Sequence, residues 1–154
     1  MPAYFLESSA LLKRYVDEPG TDVVVALTAP AVGRSLHVCR IALVEVVAAI
    51  ARRRKGKTIR PKTAAVLLQR VRGDFLSLFR VVEVSPQLLN EAVDLADRFE
   101  LRAYDAVQLA AATLVNRNLA AVNLPPLAFV SSDRELNAAA TAEGLVVTDP
   151  TVRP

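Results

Sequence analysis

The sequence predicts an α/β domain built on a parallel sheet with helices covering both faces. Three observations lead there. Short apolar runs alternate with longer helical segments along all 154 residues. Those runs are continuous rather than alternating with polar residues, as strands buried on both faces are. No internal repeat, low-complexity tract or linker divides the chain, so residues 1–154 read as one domain, long enough to bury a single core.

Tyr4-Phe5-Leu6 reads as a short buried strand, after which Ser8 or Ser9 caps a helix reaching about Asp17 and stopped by Pro19-Gly20. Thr21 opens a short helix, Asp22 to Ala29, and Ser35 to Val38 is a second strand. Ile41 to Arg54 is a long helix ended by the Lys55-Gly56 turn. Pro61 suits the first turn of the next helix, which reaches about Leu78. Phe79 to Val84 reads as a strand, followed by a helix from Pro86 to about Glu100. Another helix starts near Asp105, and Asn118 to Pro126 is a loop. Leu127 to Val130 is a strand, Asp133 to Glu143 a helix and, after Gly144, Leu145 to Thr148 a last strand. In such sheets ligands sit in the crevice outside the carboxyl ends of the strands.

Hydrophobic residues make up 53% of the chain and the mean hydropathy is +0.31, apolar for so small a domain. The surplus predicts apolar surface facing a partner. No apolar run reaches membrane-spanning length, since the longest, Ile41 to Ala51, is interrupted by Glu45. The first residues lack the basic start and small-residue cleavage site of a signal peptide. A single Cys39 offers no internal disulfide or thiolate metal cluster and reads as a small buried apolar residue. Together these features predict a reducing cytoplasm. The net charge of +3 is uneven. Seven of the 19 cations (Arg52, Arg53, Arg54, Lys55, Lys57, Arg60 and Lys62) fall within residues 52–62 with no acid among them, leaving 12 cations against 16 acids elsewhere. This segment reads as a solvated helix end and turn; the other reading is an RNA-contacting patch, without interleaved aromatics for base stacking.

The only histidine, His37, lies inside an apolar run, so a histidine-rich metal site is excluded and the residue reads as structural. Five scattered glycines form no phosphate loop. Carboxylates remain. Glu45 has only Ile41, Ala42, Ala48 and Ala49 as helical neighbours, so no local cation serves it. It needs a tertiary partner, a metal ion or a proton, and a buried pair with a distant arginine stays open beside a functional role. Glu7 directly follows the first strand, where it is either presented to the crevice or an exposed strand-end acid. Asp105 and Gln108 have capping-box spacing, so Asp105 has a helix-capping alternative. Ser132 and Glu135 form a second such box, placing Asp133 in the first turn of its helix. Lys13 and Arg14 read as an exposed helix face, with phosphate contact as the second reading.

The constellation is more specific than its members, because a parallel sheet can bring all four acids together. Two carboxylates ~5 Å apart at an effective dielectric of ~20 repel by roughly 3 kcal/mol, so such a cluster takes up protons or binds a cation. Oxygen ligands without His or Cys suit Mg²⁺ or Mn²⁺ rather than zinc. A phosphatase using an aspartate nucleophile would carry a second Asp two residues after its first acid, whereas Ser8 and Ser9 follow Glu7.

Residues 4–15, Tyr-Phe-Leu-Glu-Ser-Ser-Ala-Leu-Leu-Lys-Arg-Tyr, resemble the opening of the PIN-domain family. Val44-Glu45-Val46, residues 101–110 (Leu-Arg-Ala-Tyr-Asp-Ala-Val-Gln-Leu-Ala) and residues 129–136 (Phe-Val-Ser-Ser-Asp-Arg-Glu-Leu) resemble its later motifs in order. Gly144-Leu145-Val146-Val147 resembles its closing strand. The resemblance implies a three-layer α/β/α sandwich and an acidic Mg²⁺ or Mn²⁺ site formed by Glu7, Glu45, Asp105 and Asp133. Ser9 would orient the first acid or a water. It further implies a metal-dependent endoribonuclease of the VapC toxin type, restrained by a small VapB-like antitoxin and commonly a homodimer. One departure is Glu7, where the family normally has Asp. A fold-retaining but catalytically weakened antitoxin-binding module is therefore the alternative.

Overall fold

The computed structural model describes residues 2–153; Met1 and Pro154, the ends of the expected domain, lie outside the described residues. In chain order come β1 (Ala3–Leu6), α1 (Ser8–Leu11), a 3-10 turn at Leu12–Arg14, α2 (Thr21–Thr28), β2 (Ser35–Cys39) and α3 (Arg40–Lys55). Then follow α4 (Pro61–Ser77), β3 (Arg80–Val82), α5 (Pro86–Phe99), α6 (Ala103–Ala121), β4 (Ala128–Val130), α7 (Arg134–Ala142) and β5 (Val146–Thr148).

All strand pairs are parallel and the order is β3-β2-β1-β4-β5, with Phe5 opposite both His37 and Phe129. Side chains alternate across the sheet. Phe5, Cys39 and Phe129 therefore enter one core with α5, α6 and α7, while Leu6, Val38 and Val130 enter the other with α1 to α4. This is the expected α/β/α sandwich. Phe5 and Phe129 stack at 5.8 Å between ring centroids and tie β1 to β4. In α6, Ala106, Ala110, Ala111 and Ala112 are all buried, and such small side chains let that long helix lie close to the sheet. Gly20, at φ 92°, opens α2, and a Cβ there would stand 2.8 Å from the Pro150 carbonyl oxygen.

Several local expectations are corrected. The first helix does not continue to Asp17: α1 tightens into the 3-10 turn, closed by Tyr15 N–H donating to Leu12 O at 3.0 Å. That tightening delivers Arg14 and Tyr15 to Asp74 on α4. Lys13 and Arg14 accordingly form no exposed face. Lys13 is buried against Glu18 at 3.4 Å, and Arg14 pairs with Asp74 at 3.1 Å. Helix α6 begins at Ala103 and extends to Ala121, past the loop start expected at Asn118, because Leu114, Val115 and Leu119 keep packing on the core. The strand expected over Phe79 to Val84 pairs only at Arg80–Val82. Cys39 and His37 are buried as expected. Burial holds the His37 imidazole down at about 4, and its Nε2 lies 3.1 Å from Ser35 Oγ. Among the described residues no helix is long and apolar enough to cross a membrane.

Candidate active site

The order in which strands are added reverses between β1 and β4, and these two parallel strands both end at the same edge of the sheet. Glu7 follows β1. Its N–H donates to Val130 O at 3.1 Å, so the end of β4 fixes its backbone. Its side chain turns back as the cap of α1, where Oε2 accepts from Ser9 N–H at 2.9 Å and from Ser9 Oγ. Neither Ser8 nor Ser9 is the cap, contrary to expectation. Ser9 Oγ also accepts from Ser132 N–H at 3.0 Å, joining the two strand ends.

Asp133 follows β4 and is itself the cap of α7, accepting from Leu136 N–H at 3.1 Å. The capping box expected from Ser132 and Glu135 does not form, since Ser132 is drawn to Ser9 instead. Asp105 is not a cap either. Helix α6 is entered from Arg102, and Asp105 sits in its first turn, where the helix dipole favours an acid. Arg102 leans over both aspartates, with Nε 3.3 Å from Asp105 Oδ2 and a terminal nitrogen 3.5 Å from Asp133 Oδ2.

Glu45, in the second turn of α3, has found neither a distant arginine nor any other cation among the described residues. Its Oε1 accepts from Ser8 Oγ at 2.9 Å and from Gln108 Nε2 at 3.0 Å, and Gln108 Nε2 also donates to Ser8 Oγ at 2.8 Å. Gln108 is wholly buried and its Oε1 has no partner. Sequence reasoning missed Ser8 and Gln108 as holders of Glu45; an amide within the otherwise apolar stretch Ala106 to Ala112 was the available signal. Beside Glu45 a groove of about 350 Å³ runs along α3, lined by Val44, Ala48, Arg52 and Tyr104.

The electrostatics follow from this placement. Glu7 is 4% exposed, and burial lifts its carboxyl to about 7 against the opposing Ser9 hydrogen bonds, with Glu45 and Asp105 adding to the rise. Burial, then Asp133, likewise raises Asp105, while Arg102 acts against the shift. Glu7 feels the charges of Glu45 and Asp105, and Asp105 feels those of Glu45 and Asp133. As they stand, no three His, Cys, Asp or Glu side chains among the described residues converge to enclose an ion. The donor chemistry nevertheless fits a hard divalent cation: the four acids offer only carboxylate oxygens, and two of them are held by neutral donors alone.

A PIN-domain family model matches residues 4–142. The chain belongs to the PIN-domain family. No curated protein sequence matches significantly. Among solved structures it is similar to FitAcB from Neisseria gonorrhoeae, at 18% identity and TM-score 0.67 over 96% of this chain and 97% of that one. It is similar to a toxin–antitoxin complex from Klebsiella pneumoniae at 17% identity and TM-score 0.64, covering 96% and 97%. It also resembles VapBC-1 from nontypeable Haemophilus influenzae at 10% identity and TM-score 0.64, covering 97% and 99%. At these identities the likeness is one of fold.

Proposed function

We propose that the protein is a Mg²⁺- or Mn²⁺-dependent endoribonuclease, the toxin of a VapBC-type pair, acting in the cytoplasm. The observation that carries this reading is that Glu7 and Glu45 are held at the crevice by neutral donors and no cation. Acids kept in that state without compensation serve chemistry better than packing. Family membership and the toxin–antitoxin complexes among its structural relatives support it.

Glu7, Glu45 and Asp105 would hold the ion, with Asp133 completing the set or orienting the attacking water. When bound, a divalent ion lowers the pKa of water and stabilises charge on the phosphate. The residues supply position. Gln108 and Ser8 aim Glu45, Ser9 fixes Glu7 relative to the β4 end, and the α6 N-terminus adds a partial positive charge beside Asp105. A water oxygen would attack phosphorus in line and give up a proton, the P–O bond to the leaving oxygen would break, and that oxygen would take up a proton from solvent. The partners proposed are an RNA substrate, a VapB-like antitoxin and a second copy of the chain, for which exposed Val44, Val93 and Tyr104 offer apolar surface.

One feature favours the weakened-enzyme alternative: a Glu7 oxygen is occupied in capping α1. The deciding experiment pairs Mn²⁺ calorimetry with RNA cleavage. Mn²⁺ binding that weakens in Asp105→Asn, with cleavage abolished by chelator, supports the nuclease. Binding unaffected by Asp105→Asn removes the metal-site assignment, and binding without cleavage supports the interaction module.

A further inference from the structure

Arg102 is the one cation, among the described residues, at salt-bridge distance from any of the four acids. Its backbone carbonyl accepts the Ala106 N–H at 3.0 Å, so the main chain alone performs the helix entry. Its side chain makes no cap contact. It lies 81% exposed and reaches two acids carried by different elements, touching the Oδ2 atom of each. We propose that Arg102 is a built-in placeholder cation that competes with the divalent ion for Asp105 and Asp133 and so sets the metal concentration at which the site loads.

The inference rests on the reading of the four acids as a metal site. A guanidinium donates from a planar fork and can span two carboxylates, which holds Asp105 and Asp133 against their mutual repulsion. A divalent ion requires oxygen ligands at ~2.1 Å for Mg²⁺ and takes up the same lone pairs. Both cations cannot occupy them, and their like charges repel at that distance. Loading is therefore an exchange in which the ion enters and the guanidinium leaves. Exposure makes the departure cheap: ion pairs this open to water are weakly held, unlike the enclosed Arg14–Asp74 pair. Arg102 is thus placed to offset part of the charge of Asp105 and Asp133 in the empty site without blocking it.

Mn²⁺ titration calorimetry of the whole protein tests this with Arg102→Gln, Arg102→Lys and, as a control, Arg134→Gln. Arg134 is exposed, adjoins Asp133 and forms no ion pair among the described residues. Arg102→Gln should bind Mn²⁺ roughly fivefold tighter than the parent, the order expected when a surface ion pair no longer competes. Arg102→Lys, a point charge that cannot fork, should fall between them. The gain in Arg102→Gln should shrink at about 0.5 M salt yet stay larger than that of Arg134→Gln, whose longer-range influence is screened first. Unchanged or weaker binding in a folded Arg102→Gln protein overturns the placeholder role and leaves the metal site standing. Equal gains in Arg102→Gln and Arg134→Gln that vanish in high salt overturn it too, as a general field effect. Absence of binding in parent and variants alike takes down the metal reading with it.

Discussion

The two ends of one short helical segment, residues 8–15, carry opposite kinds of polar cluster. At the far end two acids, Asp74 and Glu18, meet cations. Asp74 takes Arg14 at 3.1 Å and the Tyr15 hydroxyl at 2.7 Å, and Glu18 takes Arg53 at 2.9 Å and Lys13 at 3.4 Å. At the near end Glu7 and Glu45 meet hydroxyls, an amide and a backbone N–H. The first cluster is closed. It ties the turn after α1 to α4 and to the end of α3, and nothing external is needed to balance it. The second holds negative charge in place without neutralising it, which costs stability in the metal-free chain and is useful only where a cation arrives from outside.

The sharpest way to break that comparison is Glu45→Gln. A glutamine oxygen can still accept from Ser8 and Gln108, so the fold is kept while the charge is lost. RNA cleavage should drop to background, and the melting temperature in metal-free buffer should stay level or rise. A large fall in melting temperature would return Glu45 to a structural role. Next comes Asp74→Ala, which strands Arg14 and the Tyr15 hydroxyl. It should cost ~3 kcal/mol of stability in denaturant titration. Mn²⁺ affinity should not change, and a matching loss of affinity would show that the two clusters are coupled.

Smaller still is Glu7→Asp. A shorter arm no longer curls as far back towards Ser9, and cleavage should rise about tenfold, ~1.4 kcal/mol of barrier, while Glu7→Gln lowers it. A slower Glu7→Asp enzyme would mean that the backbone has adapted to the longer acid.

The pH dependence is the finest test. Glu7 titrates near 7 in the folded chain against 4.5 for an ordinary Glu, so between those values the native state binds more protons than the unfolded one. Stability in chelator should therefore fall as pH rises through that window. His37, held at about 4 against 6.5, acts the other way and loses stability as pH falls through its own window. Subtracting the Glu7→Gln profile from the parent profile isolates the first effect. A flat difference between pH 4.5 and 7 would mean that Glu7 is not raised.

Much of the architecture was legible because strands and helix punctuation are local. Tyr4-Phe5-Leu6 is apolar enough to be buried on both faces, Pro61 and Pro86 open helices, and Gly144 precedes the last strand. The acids were legible for a related reason: Glu7 stands directly after a strand, Asp133 three residues past the end of another, and Glu45 interrupts an apolar helix. Caps were less legible, since Ser9, Ser132 and Asp133 all have capping chemistry and only the contact between Ser9 and Ser132 decides which one caps.

The sequence by itself determined the parallel α/β architecture, the burial of Cys39 and His37, and the placing of two carboxylates after strands, one at a helix opening and one on the apolar helix. Tertiary structure alone decided their company. Gln108 reaches Ser8 across 100 residues of sequence, Arg102 reaches Asp133 across 31, and Arg14 finds Asp74 across 60. Local patterning records which backbone a residue prefers and which face it buries. Whether a charge is neutralised depends on what the folded chain carries to within about 3 Å of it, the range over which a hydrogen bond forms.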